Sequence, residues 1–194
     1  MNLKRLVEKI KKQCLKRSVQ QRSDYATALE NLKGNVIVTE VSNGSEVIDE
    51  LFYKVFGHPA PRHGTQVVTF CRMNDGSYRV ANYVNFWIRE GACYIGGLVT
   101  DKDLFKHQVS KELQLAIREQ GGLGKIAMMY VLERNSDKVD VFFGHTSIPR
   151  AIEIIDDLGF KNTEQEYLYA KWKPATSARQ QKKLLAQAAK VGAF

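Results

Sequence analysis

The chain has 194 residues, a net charge of +8, an apolar share of 44% and charged residues at 26%. That length suits one domain with appendages, and the apolar share is enough for a packed core. No apolar run reaches the ~20 residues that cross a bilayer. The basic N-terminus lacks both an apolar h-region and a small-residue cleavage site, which argues against a secretory signal. The three cysteines, Cys14, Cys71 and Cys93, are scattered and form no CxxC pair. They point to a reducing, cytoplasmic setting and away from a structural metal site.

The positive charge is unevenly placed. Residues 1–22 set eight lysines and arginines against Glu8 alone, and residues 171–194 hold six basic residues and no acid. The tails therefore carry +7 and +6, which leaves −5 for the residues between them against the overall +8.

In chain order, Leu3, Leu6, Val7, Ile10, Cys14 and Val19 recur at helical spacing among lysines and arginines, a basic amphipathic helix within residues 1–33. Val36–Val41 is a β-branched strand. Asn43-Gly44-Ser45 opens a helix whose apolar face is Val47, Ile48, Leu51, Phe52 and Val55 and which stops at Gly57. His58-Pro59-Ala60-Pro61-Arg62-His63-Gly64 is a rigid loop. Its two histidines read as loop residues more readily than as metal ligands. Strands follow at 66–72, 78–89 and 92–100, with hairpin turns at Asn74-Asp75-Gly76 and Glu90-Gly91. Residues 103–119 read as one helix and Gly121-Gly122-Leu123-Gly124 as a break. Residues 125–135 read as a second helix, although Met128, Met129 and Tyr130 leave the period unsettled. A buried strand at 139–144, a helix at 149–158 closed by Gly159, a strand at 166–172 and a basic helix at 179–191 complete the chain. A strand meander followed by a helical crossover predicts an α/β (α+β) domain over 34–173. Its sheet is mixed and mostly antiparallel, with helices on both faces and basic terminal helices before 34 and from 174.

Two stretches carry a family resemblance. Tyr94-Ile95-Gly96-Gly97-Leu98-Val99 resembles the central strand of the acyl-CoA N-acyltransferase (GNAT) family. Arg150-Ala151-Ile152-Glu153-Ile154-Ile155-Asp156-Asp157-Leu158-Gly159-Phe160 resembles its late helix. The resemblance implies a GNAT-like fold, an acyl-CoA cofactor and backbone groups near Leu98 and Val99 that polarise the acyl carbonyl. It also implies a pyrophosphate loop at Gln120, Gly121, Gly122, Gly124 and Lys125, where bare N–H groups and a helix dipole attract phosphate. The same glycines serve equally to end one helix and start another. Two positions depart from the family pattern. Glu119 falls where an Arg or Gln would meet phosphate, and Ile155 falls where many members carry a proton-donating Tyr.

The base that deprotonates an amine acceptor has several candidates. Asp101 follows the central strand, where it serves either as base or as helix cap. Glu40 on the first strand is another. His145 is an acid/base group by chemistry and a loop residue by position. Cys93 has no histidine near it in sequence and reads as a small buried apolar residue.

The stretch Phe142-Phe143-Gly144-His145-Thr146-Ser147 before Arg150 is similar to GNAT-like proteins of tailed bacteriophages. That implies an alternative, a non-catalytic virion or assembly protein held through its basic terminal helices, residues 1–22 and 174–194. It would sit in the host cytoplasm or within the particle. The basic tails also suit non-specific binding of nucleic acid, although they lack interleaved aromatics for base stacking. A membrane surface ranks last among their partners, and packing on their own domain remains open.

Overall fold

The computed structural model describes residues 24–192 and 194. The basic segment 1–22 lies outside the described residues, as does Cys14. Residues 24–31 are helical (α1) and turn through Lys33 and Gly34, both at positive φ, into β1 (Val36–Val41). There follow α2 (Gly44–Phe56), β2 (Thr65–Arg72), β3 (Tyr78–Arg89), β4 (Ala92–Thr100), α3 (Lys102–Gln108), α4 (Lys111–Glu119) and α5 (Leu123–Asn135). The chain continues as β5 (Val141–His145), α6 (Pro149–Asp157), β6 (Lys161–Asn162), β7 (Leu168–Trp172) and α7 (Ala178–Val191). Among the described residues no helix is long and apolar enough to cross a membrane.

The strands form one seven-stranded sheet in the order β1-β2-β3-β4-β5-β7-β6. All its pairs are antiparallel except β4 with β5. That exception has a cause: α3, α4 and α5 lie between the two strands in sequence, and a crossover of this length brings the chain back in the same direction. The sheet is thus mixed and mostly antiparallel, with helices on both faces, the arrangement that the GNAT resemblance implies.

Alternation along the strands sends their side chains to two faces. On the front face Val84, Phe86, Cys93 and Ile95 pack against Met128 and Val131 of α5 and Ile154 and Ile155 of α6. Toward the β1 edge the same face buries Leu32, Val36 and Cys71 against Ile117 and Ile126. On the back face Val68, Tyr83 and Val99 meet Ile48 and Phe52 of α2, and Tyr94, Phe143 and Leu168 meet Leu184 and Ala188 of α7. Each large apolar side chain so buried contributes about 1.5–3 kcal/mol. The basic C-terminal helix is therefore docked on the sheet, while Lys182, Lys183 and Lys190 stay exposed on its outer side.

The structure corrects two expectations and adds one element. The helix read over 103–119 is two helices, α3 and α4, broken at Val109 and Ser110. The Ser110 hydroxyl accepts the Leu113 N–H at 3.2 Å, and Gln114 donates to the Val109 carbonyl at 2.8 Å. A serine that caps a new helix competes with continuation of the old one. The last strand starts at Leu168, because Tyr167 sits at φ 61 and breaks the extended run before it. The two-residue β6, exposed on both residues, carried no sequence signal.

Candidate active site

The β4–β5 pair holds register from Ala92 opposite Val141 to Ile95 opposite Gly144, and pairs no further. β4 runs on to Thr100 while β5 ends at His145. From Gly96 onward the two strands part. In the same place β4 bulges against β3: Tyr83 faces Val99 and Asn85 faces Gly96, so Val84 alone opposes both Gly97 and Leu98. Gly97 takes φ 62, and an added Cβ would approach the Phe52 ring at 3.2 Å. An extra residue in one strand re-aims its backbone groups, and here the bulge lies at the lip of the gap.

The gap is a cleft of about 280 Å³ that passes through the sheet. Its front half is apolar, walled by Ile95 and Leu98 of β4, Met128 of α5, and Ile148, Ala151 and Ile155 around α6. Its back half is walled by Phe52, Phe56, His58, Pro61 and Phe194, with Gly96, Gly144 and His145 at the waist. The strand splay and the crossover through α5 are the arrangement that the GNAT resemblance implies.

The first turn of α5 packs against Leu98, a residue of the cleft wall. Gly124 is pressed between Leu98 and Ile154, with an added Cβ 3.3 Å from Ile154 Cδ1 and 3.5 Å from Leu98 Cδ2. A helix leaves its first N–H groups without intrahelical acceptors. In α5 these belong to Leu123, Gly124 and Lys125, since Ile126 already donates to the Gly122 carbonyl. Arg150 of α6 reaches the same place, donating from Nη2 to the Gly121 carbonyl at 3.0 Å and pairing with Glu153 at 2.7 Å. The positive end of the helix dipole and a guanidinium already paired with Glu153 thus meet at one spot.

The loop residues named from sequence divide between two tasks. Gly121 and Gly122 donate to the Arg118 and Ile117 carbonyls and so close α4, which leaves their N–H groups unavailable to a ligand. Gln120 and Glu119 line a separate cavity of about 310 Å³ between α1, α5 and α6, together with Asp24, Asp157 and Lys125. The Lys125 ammonium lies 3.3 Å from the Asp157 carboxylate. Gly124 packs against Leu98 of the cleft wall, whereas Gly121 and Gly122 serve the turn.

The remaining candidates are scattered. Leu98 lines the cleft, while Val99 is buried against α2 and its carbonyl accepts from Asn82 at 2.8 Å. Asp101 caps α3, accepting the Leu104 N–H at 2.9 Å. Glu40 lies on β1 at the far sheet edge, paired with Arg134 at 3.4 Å and accepting from Tyr130 at 3.4 Å. Burial pushes the Cys93 thiol far up, which removes it as a nucleophile. His145 does reach the cleft, at the end of β5. Among the described residues no group of three or more His, Cys, Asp or Glu side chains gathers as a metal site.

Sequence reasoning missed two residues. His58, placed in a proline loop, stacks on Phe56 with centroids 5.9 Å apart and forms part of the back wall. Its Nδ1 lies 2.9 Å from the Pro59 carbonyl, which can only accept, so in the neutral ring Nδ1 is the donor and Nε2 the acceptor. Arg150 was visible only as part of a motif. Its place beside the α5 N-terminus depends on how α6 packs.

No protein-family model matches the sequence, and no curated protein matches it closely enough to count as a relative. Solved acetyltransferase chains do resemble the fold. A ribosomal-protein-S18-alanine N-acetyltransferase from Escherichia coli shares 11% identity, with 70% of this chain and 89% of that one covered and a TM-score of 0.46. An N-acetyltransferase from Campylobacter jejuni shares 14%, covering 70% and 95%, at a TM-score of 0.41. A candidate acetyltransferase from Pyrococcus horikoshii shares 14% over 66% of this chain at 0.47, and this chain spans only 44% of its length. Likeness at this level transfers no residue role.

Proposed function

We propose that the chain transfers an acyl group from an acyl-CoA to an amine. The observation that supports this reading is the cleft at the β4–β5 splay, whose apolar wall at Leu98 abuts Gly124 in the first turn of α5, with Arg150 close by. A long, thin donor with an apolar arm and a diphosphate fits that sequence of surfaces. The N–H groups of Leu123, Gly124 and Lys125 and the Arg150 guanidinium would hold the diphosphate. Ile95, Leu98, Met128 and Ile155 would enclose the arm and exclude water. The acidic cavity beside it, lined by Asp24, Glu119 and Asp157, stays outside the phosphate contacts.

When bound, acyl-CoA supplies a thioester whose carbonyl carbon is open to attack by an amine. The β4 bulge at Gly97 and Leu98 would aim a backbone N–H at the carbonyl oxygen, where charge develops. The α5 and α6 contacts lie on the front face, so the amine enters from the back. There His58 Nε2 and the His145 imidazole stand ready to take its proton. Ile155 has no proton to give to a leaving group, so protonation on that side falls to solvent. Calorimetry with acetyl-CoA tests the reading: saturable heat is expected, and neither heat nor a thermal shift at millimolar ligand removes it.

A second reading keeps the fold without the chemistry, as an assembly protein of a phage particle. Ile155 at the proton donor's position favours it. Under that reading acetyl-CoA gives no heat, and deletion of 1–22 abolishes incorporation into the particle.

A further inference from the structure

The back half of the cleft already has an occupant. Phe194 sets its carbonyl against β4: a Cβ added to Gly96 would stand 2.5 Å from the Phe194 carbonyl carbon and 2.8 Å from its oxygen. No side-chain-bearing residue at position 96 leaves room for a chain at that spot. The ring drops into an aromatic seat. It meets Tyr94 edge-on at 5.2 Å and 88°, Trp87 at 5.6 Å and 82°, and the His145 ring at 5.8 Å.

The seat does not depend on its occupant. Trp87 stacks on Tyr94 at 5.5 Å and 15°, His63 abuts Trp87 at 5.0 Å, and Phe143 supports Tyr94 at 5.6 Å. The walls come from neighbouring strands β3, β4 and β5, whose pairing holds them in place. The structure thus shows what the back half accepts: a main-chain carbonyl against Gly96 and an aromatic ring beside it. Gly97, at the bulge where the proposed acyl carbonyl would lie, is the next residue along β4.

We propose that the Gly96 track and the Trp87–Tyr94–His145 seat form an acceptor subsite for a polypeptide with an aromatic side chain next to its reactive amine, and that Phe194 fills this subsite in the free protein. The assignment of the subsite to the acceptor rests on the acyl-transfer reading. Seat and occupant stand on the ring geometry alone. Phe194 competes with the acceptor, so its removal should strengthen peptide binding.

The test compares two probes, Phe-Gly-amide and Ala-Gly-amide, titrated into the full chain and into its Phe194→Ala variant by calorimetry. Burial of one ring with edge-on aromatic partners is worth roughly a tenfold change in affinity or more. The variant is expected to bind the Phe probe about tenfold more tightly than the full chain does, and more tightly than the Ala probe. Adding Gly96→Ala should abolish that gain by blocking the track. If Phe194→Ala does not fold, Phe194→Leu keeps the apolar anchor but loses the edge-on ring contacts, so a smaller gain for the Phe probe is expected and no gain overturns the role of Phe194. Equal binding of the two probes, or binding of neither, overturns the subsite. Equal affinity of full chain and variant for the Phe probe overturns the role of Phe194. Acetyl-CoA is titrated in parallel. Peptide binding without acetyl-CoA heat breaks the transfer reading and leaves the seat standing, whereas acetyl-CoA heat without aromatic preference breaks the subsite alone.

Discussion

Gly97 sets the β4 bulge at the cleft through one backbone conformation. Its φ of 62 suits glycine, and Phe52 Cζ stands 3.2 Å from the position of an added Cβ. Gly97→Ala should therefore lower unfolding stability by about 1–3 kcal/mol through backbone strain. If the bulge aims a carbonyl-polarising N–H, it should also lower acyl transfer more than acyl-CoA affinity. A urea melt and a calorimetric titration on the same variant separate the two effects. The cysteines give a prediction of the opposite kind, one of inertness. Burial pushes the Cys71 thiol up to about 11 and drives the Cys93 thiol higher still, while both residues are free and fully buried. The reactive thiolate is thus suppressed twice, by proton affinity and by access. In a Cys14→Ser background, a thiol reagent at pH 8 should find no fast-reacting group in the folded protein and both thiols after unfolding. Fast labelling of the folded state would contradict the packing of the front face.

Helix ends govern both the site and what could be read of it. Arg150 and the first turn of α5 come together only because α6 packs beside α5, so neither sequence window alone announces the pair. Arg150→Ala should weaken acyl-CoA binding by about tenfold and flatten its salt dependence, since one charge-assisted contact is lost. Unchanged affinity would move the phosphates elsewhere. The Ser110 cap is a structural counterpart: Ser110→Ala should cost about 1 kcal/mol in a chemical melt by orphaning the Leu113 N–H. The strands β1, β3 and β4 were legible residue for residue because alternation and turn residues mark them. α5 was ambiguous for a physical reason. Eight of its residues, among them Leu123, Ala127, Met128 and Val131, are buried around most of its circumference, and a helix without a polar face has no period to read. His58 was illegible as a site residue because no local pattern says which gap in a sheet a loop will face. Gly121 and Gly122 looked like phosphate ligands because a glycine pair that ends α4 is spelled the same way as one that cradles an anion.

At the scale of the whole molecule, charge and packing separate. The sequence places +6 on residues 171–194, which invites a reading of that segment as a tail for an acidic partner. The fold shows that the same segment also completes the back face: Leu184 and Ala188 of α7 cover Tyr94, Phe143 and Leu168, and Phe194 closes the cleft from that side. The two roles use different sides of one helix, so they can be removed independently. Deleting residues 178–194 uncovers an apolar surface that the back face cannot hide, and loss of several buried side chains should cost several kcal/mol. The truncated chain should melt well below the full chain or fail to fold. Lys182→Gln with Lys183→Gln removes charge from exposed positions and should leave the melting temperature nearly unchanged. If instead the charge substitutions lowered the melt and the deletion did not, α7 would be held by electrostatics. The Leu184–Ala188 contact would then be incidental, and Phe194 would lose the anchor that carries it to Gly96.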